Sequence, residues 1–251
     1  MDYSRLYSTR IEISYDEDQI EILSLIRRTL MNSPAMHVRL INYYKGLPVS
    51  YPARIVAVER DIIDLDVLPQ QIFAMQDSRC TFIRSTAFKH DLYAKVQYAN
   101  IKRKAISLRK LCYVEILPEK RDFIRLELEK LPSAMISGAA GSVKGKITEL
   151  AINAACVRVE DPCSLEIDEA VTLGFMLYNA QQDLEYNVKT PARLEAVEGH
   201  GYPKLYRFST TPDKTLDRML SQYLFHRQIE IIREIKDAAE HAVNNPLPEP
   251  Q

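Results

Sequence analysis

The sequence predicts a mainly β chain: two antiparallel β-barrels in succession, with one helix ahead of the first and a long helix after the second. Three observations predict it. Short segments rich in β-branched and aromatic residues follow one another, with turn-like pieces between them and no long helix to carry a parallel crossover. Helical periodicity, apolar residues three and four apart, is confined to the two ends of the chain. Pro118-Glu119-Lys120 interrupts the strand pattern midway.

Residues 16–33, DEDQIEILSLIRRTLMNS, put Ile20, Leu23, Ile26 and Leu30 at helical spacing. Asp16 or Asp18 can cap the start, and Asn32-Ser33-Pro34 ends the helix. HVRLINYY, ARIVAVE, IIDLDV, CTFIRS, LYAKVQYA, AISLR and CYVEIL are then the strands of the first barrel, over residues 34–117. After Pro118 the strands are FIRLEL, KGKITELAI, CVRVE, VTLGFMLY, LEYNVKTPARLEAVE and KLYRFST. GAAGSVKGK, residues 138–146, reads as a loop between strands, because it lacks the residue order of a phosphate-binding loop. Thr210-Thr211-Pro212-Asp213 opens a helix over 213–240, with Leu216, Leu220, Tyr223, Leu224, Ile231 and Ile235 as its apolar stripe. The predicted organisation is a barrel domain with its leading helix over 1–117, a second barrel with its closing helix over 118–240, and a flexible tail over 241–251.

Composition narrows the function. A net charge of −1, with 46% hydrophobic and 27% charged residues, suits a soluble globular chain. It argues against coating a nucleic-acid polymer through bulk charge. The cysteines, Cys80, Cys112, Cys156 and Cys163, form no CxxC pair, and no histidine stands at metal-finger spacing. They read as reduced thiols, mostly buried, with no metal or cofactor among them. The N-terminal stretch has no apolar core of leader length and no run approaches a membrane span, which predicts a cytoplasmic protein that is not integral to a membrane. His37, His90, His200, His226 and His241 are scattered, with no Ser, Cys or acid beside them in a nucleophile arrangement, so no enzyme is predicted.

The sharpest local signal is PEKRDFIRLEL, residues 118–128. Arg121 and Arg125 stand four apart at the domain junction, immediately before a strand, with Lys120 adjacent. A guanidinium is a flat, permanently charged fork that grips phosphate oxygens in pairs. It also donates twice to the O6/N7 edge of guanine. Two such forks suit a ligand that is anionic and guanine-rich, whereas the nearby Asp122, Glu127 and Glu129 fit an ordinary solvated linker.

These residues resemble the RxxxR segment that precedes the six-stranded barrel of PilZ domains, with Lys120 at the first Arg position. The family's second motif, [DN]xSxxG, is matched by KITELAINAACVRV, residues 146–159: Glu149 stands at the acidic position, Ala151 at the serine and Ala154 at the glycine. YRFSTTPDKTLDRMLSQYLFHRQIE, residues 206–230, is similar to the family's last strand and closing helix. Residues 34–117 resemble the split-barrel-like N-terminal domain of YcgR-type proteins. The resemblance implies a receptor or adaptor for cyclic di-GMP, bound at the interdomain junction by Lys120, Arg121, Arg125, Glu149, Ala151 and Ala154. It further implies control of motility or surface attachment through protein contacts, with the flagellar motor or other motility machinery as the partner, and it leaves a homodimer open. Three departures bear on this. Glu149 reaches one methylene further than aspartate, Ala151 lacks the hydroxyl, and Ala154 adds a methyl group where close backbone approach favours glycine. The alternative is therefore a degenerate PilZ scaffold that ignores the nucleotide and acts only through protein–protein contacts. A third reading, RNA or DNA binding through the basic cluster Lys102-Arg103-Lys104 with Arg109-Lys110, lacks a row of stacking aromatics.

Overall fold

The computed structural model describes residues 3–139, 141–179 and 183–244. The chain divides into two compact units, residues 1–122 with 231–251, and residues 123–230. Each holds a closed six-stranded antiparallel barrel.

In the first unit β1 (Tyr7–Thr9) leads into α1 (Tyr15–Asn32), followed by β2 (Met36–Tyr44), β3 (Leu47–Glu59), β4 (Ile62–Asp66), α2 (Pro69–Ala74), β5 (Cys80–Arg84), β6 (Asp91–Asn100) and β7 (Ala105–Ile116). The ring runs β7-β4-β3-β2-β5-β6 and closes by β6 pairing with β7. Ser14 caps α1, its hydroxyl accepting from the Glu17 N–H at 3.2 Å. This corrects the cap assignment. Asp18 is buried, and its carboxylate accepts from the Glu12 and Ile13 N–H groups, so it holds the chain that enters the helix. Ile22, Leu23 and Ile26 join the barrel core, whereas Ile20 is 64% exposed and does not belong to the buried stripe.

AISLR and CYVEIL are one strand, β7, and not two. Lys110 has φ 56°, and the pairing with β6 slips across it, between Arg109 and Cys112. Such a slip moves the inward set by one residue. Ile106 and Leu108 face the main core before it, Leu111 and Tyr113 after it. Cys112, Val114 and Ile116 then join a second cluster with Ile41, Tyr43 and Phe82, against which Tyr3, Leu6 and Tyr7 pack. A polar knot sits nearby: Asn42, fully buried, donates to the Cys80 carbonyl at 2.7 Å and accepts from Gln71 and Thr81, each at 2.7 Å.

In the second unit the strands are β8 (Leu126–Glu127), β9 (Ser133–Gly138), β10 (Gly141–Leu150), β11 (Ala154–Val159), β12 (Ala170–Asn179), β13 (Leu184–Glu198) and β14 (Lys204–Thr210), followed by α3 (Lys214–Asn244). The ring runs β11-β14-β13-β12-β9-β10 and closes by β10 pairing with β11. Val188, Thr190, Ala192 and Leu194 show the period of two that builds it, each buried between exposed neighbours. Among the described residues, 184–190 of β13 pair in the ladder with β12 and not with β14, which joins from the Pro191 carbonyl, accepting from the Thr211 N–H at 3.1 Å, and from Ala192 onward.

The loop expected over 138–146 is corrected. From Gly141 onward this segment is β10, paired with the unforeseen strand β9 from Gly138↔Gly141 to Ser133↔Lys146. Glycine weakens a strand signal, yet Gly145 is required. A Cβ there would lie 2.5 Å from a Val157 methyl and 2.8 Å from the Arg158 carbonyl. FIRLEL contracts to the two residues of β8, with Phe123 and Ile124 each 40% exposed.

Asp213 caps α3 by accepting from the Thr215 and Leu216 N–H groups at 2.9 and 2.8 Å. The helix runs to Asn244, so the first residues of the anticipated tail are helical, and residues 245–251 of it lie outside those described. From Ile231 the helix groups with the first unit, where Glu234 accepts from the Tyr44 hydroxyl at 2.7 Å and from Lys45 at 2.6 Å. Among the described residues no helix is long and apolar enough to cross a membrane, and no group of His, Cys, Asp or Glu could hold a metal ion.

Candidate functional site

Two of the predicted site residues lie in the first unit and four in the second. Lys120 ends a short 3-10 turn, Leu117–Lys120, and its ammonium pairs with Glu115 at 2.8 Å. Arg121 follows, exposed, and its charge opposes the rise that burial imposes on the Tyr43 hydroxyl.

In the second unit, Glu149 stands on β10 at the register of Glu127 on β8 and Cys156 on β11. Cys156 in turn pairs with Arg207 on β14. Inward Tyr206 and Phe208 flank Arg207, so alternation turns it to the outer face. Glu149, Cys156 and Arg207 thus form one row across three strands. The Cys156 thiol donates to Glu149 Oε2 at 3.6 Å, and Arg207 bonds Glu198. Burial pushes the Cys156 thiol up to about 12, and Glu149 adds to the rise; Arg125 and Arg207 oppose it. Arg125 therefore lies close enough to this row to act on it electrostatically. Arg125 and Glu149 thus act on the same thiol with opposite sign.

Ala151 and Ala154 close the hairpin between β10 and β11, the Ala151 N–H donating to the Ala154 carbonyl at 2.8 Å. The Thr210 N–H pins the turn by donating to the Asn153 carbonyl at 2.8 Å. Both alanines are buried, at 1% and 4% exposure. Ala154 is not among the residues with positive φ, which is why a side chain is accepted where the motif has glycine. The sequence reading missed Arg207 and Cys156. KLYRFST marks Arg207 as outward, but only strand pairing reveals that it adjoins β11.

No family model matches the chain. No curated protein matches it either. Solved structures do align with it. The inhibitor of motility MotI/DgrA of Bacillus subtilis aligns at 12% identity and a TM-score of 0.42, over 79% of this chain and 98% of that one. YcgR of Escherichia coli, solved in complex with c-di-GMP, aligns at 11% identity and a TM-score of 0.42, over 95% of this chain and 99% of that one. The PilZ domain of CeSA, from a cellulose-synthesizing bacterium, aligns at 20% identity and a TM-score of 0.31, over 41% and 97%. These are likenesses of architecture and assign no residue a role.

Proposed function

We propose that this chain is a non-enzymatic receptor for cyclic di-GMP. The observation that carries the reading is the Glu149–Cys156–Arg207 row on the outer face of the second barrel, whose thiol also feels the charge of Arg125. Arg125 and Arg207 offer two guanidinium forks for phosphate oxygens or for the O6/N7 edge of guanine. Glu149 offers an acceptor for guanine N–H groups. Ala151 and Ala154 form the turn of the adjoining hairpin; Lys120 and Arg121 enter only through the motif resemblance. The output is regulation by protein contact, in motility or surface attachment; this part follows from the motif resemblance. A ligand shifts such an output only by its differential affinity for two arrangements of the protein.

Calorimetric titration of the full chain with cyclic di-GMP tests the reading. Saturable binding by the parent, weakened in Arg125→Ala, is the expected result. A folded parent that gives no heat and no amide shifts at millimolar ligand would defeat it. That outcome would favour the scaffold alternative, for which the buried methyl groups of Ala151 and Ala154 already speak.

A further inference from the structure

A second recess lies on the outer face of the second barrel, at strands β9, β10, β12 and β13, with a volume of about 720 Å³. Its middle is one register row: Lys144 on β10 pairs with Met135 on β9, Met135 with Gly174 on β12, and Gly174 with Lys189 on β13. Lys146 and Met176 extend the lining on the adjoining register.

Gly174 is the telling residue. Glycine in a strand interior is destabilising relative to alanine. Nothing among the described residues requires it, since a Cβ would meet only the Val188 and Met135 carbonyls, at 3.9 and 4.0 Å, and its φ lies outside the left-handed region. A strand glycine without an internal reason marks a place where something else comes close. The walls are apolar and adaptable, with Met135 37% and Met176 48% exposed. Lys144, Lys146 and Lys189 have no carboxylate partner among the described residues. Glu160 and Asp161 also reach the rim, but Glu160 is already paired with Arg158 at 3.0 Å.

We infer that this recess is a second binding site, for a small amphipathic anion: an apolar body over Gly174 between the two methionines, with an acidic head on the lysines. The volume falls within the roughly 300–1,000 Å³ of small-molecule sites. The site is distinct from the Glu149 row and does not rest on the cyclic di-GMP reading.

Decanoate and decyltrimethylammonium, both below their micelle concentrations, are the probes for the full-length protein. Decanoate binds with amide shifts centred on β9, β12 and β13, and the equally long cation does not. Saturating cyclic di-GMP leaves decanoate bound. Gly174→Val fills the recess and weakens decanoate by about tenfold or more, the scale of displaced apolar contact. Its melting temperature does not fall, because valine favours a strand. Lys144→Glu with Lys189→Glu, both on exposed positions, abolishes binding and guards against misfolding of the first variant. Equal affinity for both probes, displacement by cyclic di-GMP, or unchanged decanoate affinity in both folded variants would overturn the inference. Vesicles containing phosphatidylglycerol separate the two sources of such an anion: retention on vesicles without a decanoate response would make the face a membrane contact and overturn the single-molecule site.

Discussion

Arg125 is where the ligand hypothesis can be weighed most directly. A charge-assisted hydrogen bond contributes about 1.5–3 kcal/mol, so Arg125→Ala should lower cyclic di-GMP affinity roughly ten- to a hundredfold. Arg125→Lys should fail nearly as badly, because an ammonium cannot donate in two parallel directions. Thermal melts of both should match the parent; a shared drop in melting temperature would mean that the arginine serves the fold. The same scale governs the converse change. Glu149→Asp with Ala151→Ser and Ala154→Gly restores the motif and should tighten binding, and a folded triple variant no better than the parent would show that the hairpin is misassigned. A different residue bears on stability. Asn42 bonds three buried partners, and Asn42→Ala removes these bonds and takes the acceptor from the buried Gln71 amide, at a cost on the order of 1–3 kcal/mol. Urea unfolding should show a lower midpoint with an unchanged slope.

At the scale of elements, what could be read from the sequence depended on how regular each pattern was. β13 and β14 were legible to the residue, since LEYNVKTPARLEAVE alternates through Val188–Leu194 and KLYRFST around Tyr206 and Phe208. β9 was invisible, because SAMISG offers only Ala134 and Ile136 to the core and its partner begins in a glycine-rich run. β7 was split in two by the slip at Lys110, which reverses the alternation midway. Glu149, Ala151 and Ala154, matched to the second motif by resemblance, fall on the β10–β11 hairpin, whereas Arg207 reaches Cys156 from β14, far along the chain, and no local pattern encodes such a pairing. Helix starts were half legible. Asp213 caps α3 as its sequence suggests, whereas Ser14, and not an aspartate, caps α1. Ser14→Ala should therefore cost about 1 kcal/mol, measurable by chemical denaturation.

For the whole molecule, alkaline stability follows from the buried thiols. Burial raises Cys80 and Cys112 from 9.0 to about 11 and Cys156 to about 12. Above pH 9 the unfolded chain sheds these protons and the folded chain keeps them, so unfolding becomes easier as pH rises. Their contribution is complete below pH 9 and is lost as pH climbs through about 11–12. Unfolding free energy should decline over that window, and Cys112→Ala should make the decline shallower. A second test concerns the shared helix. Ile231, Ile235 and Ala239 are buried, and Glu234 ties to Tyr44 and Lys45 within the first unit. Truncation after Glu230 should lower the melting temperature of that unit; an unchanged melt would show the last turns to be dispensable.

The stretch of β13 that reaches past the ring carries a kinetic signature. From Leu184 to Thr190 the described strand ladder runs along one edge, to β12. Antiparallel geometry points successive N–H groups to opposite edges. In heavy water every second amide of this stretch should therefore take up deuterium rapidly while its neighbours hold their protons. From Ala192 to Glu198, where β14 lies alongside, the alternation should fade into uniform protection. A record of amide-by-amide exchange would thus trace, in time constants, the point at which a two-stranded arm becomes the wall of a barrel.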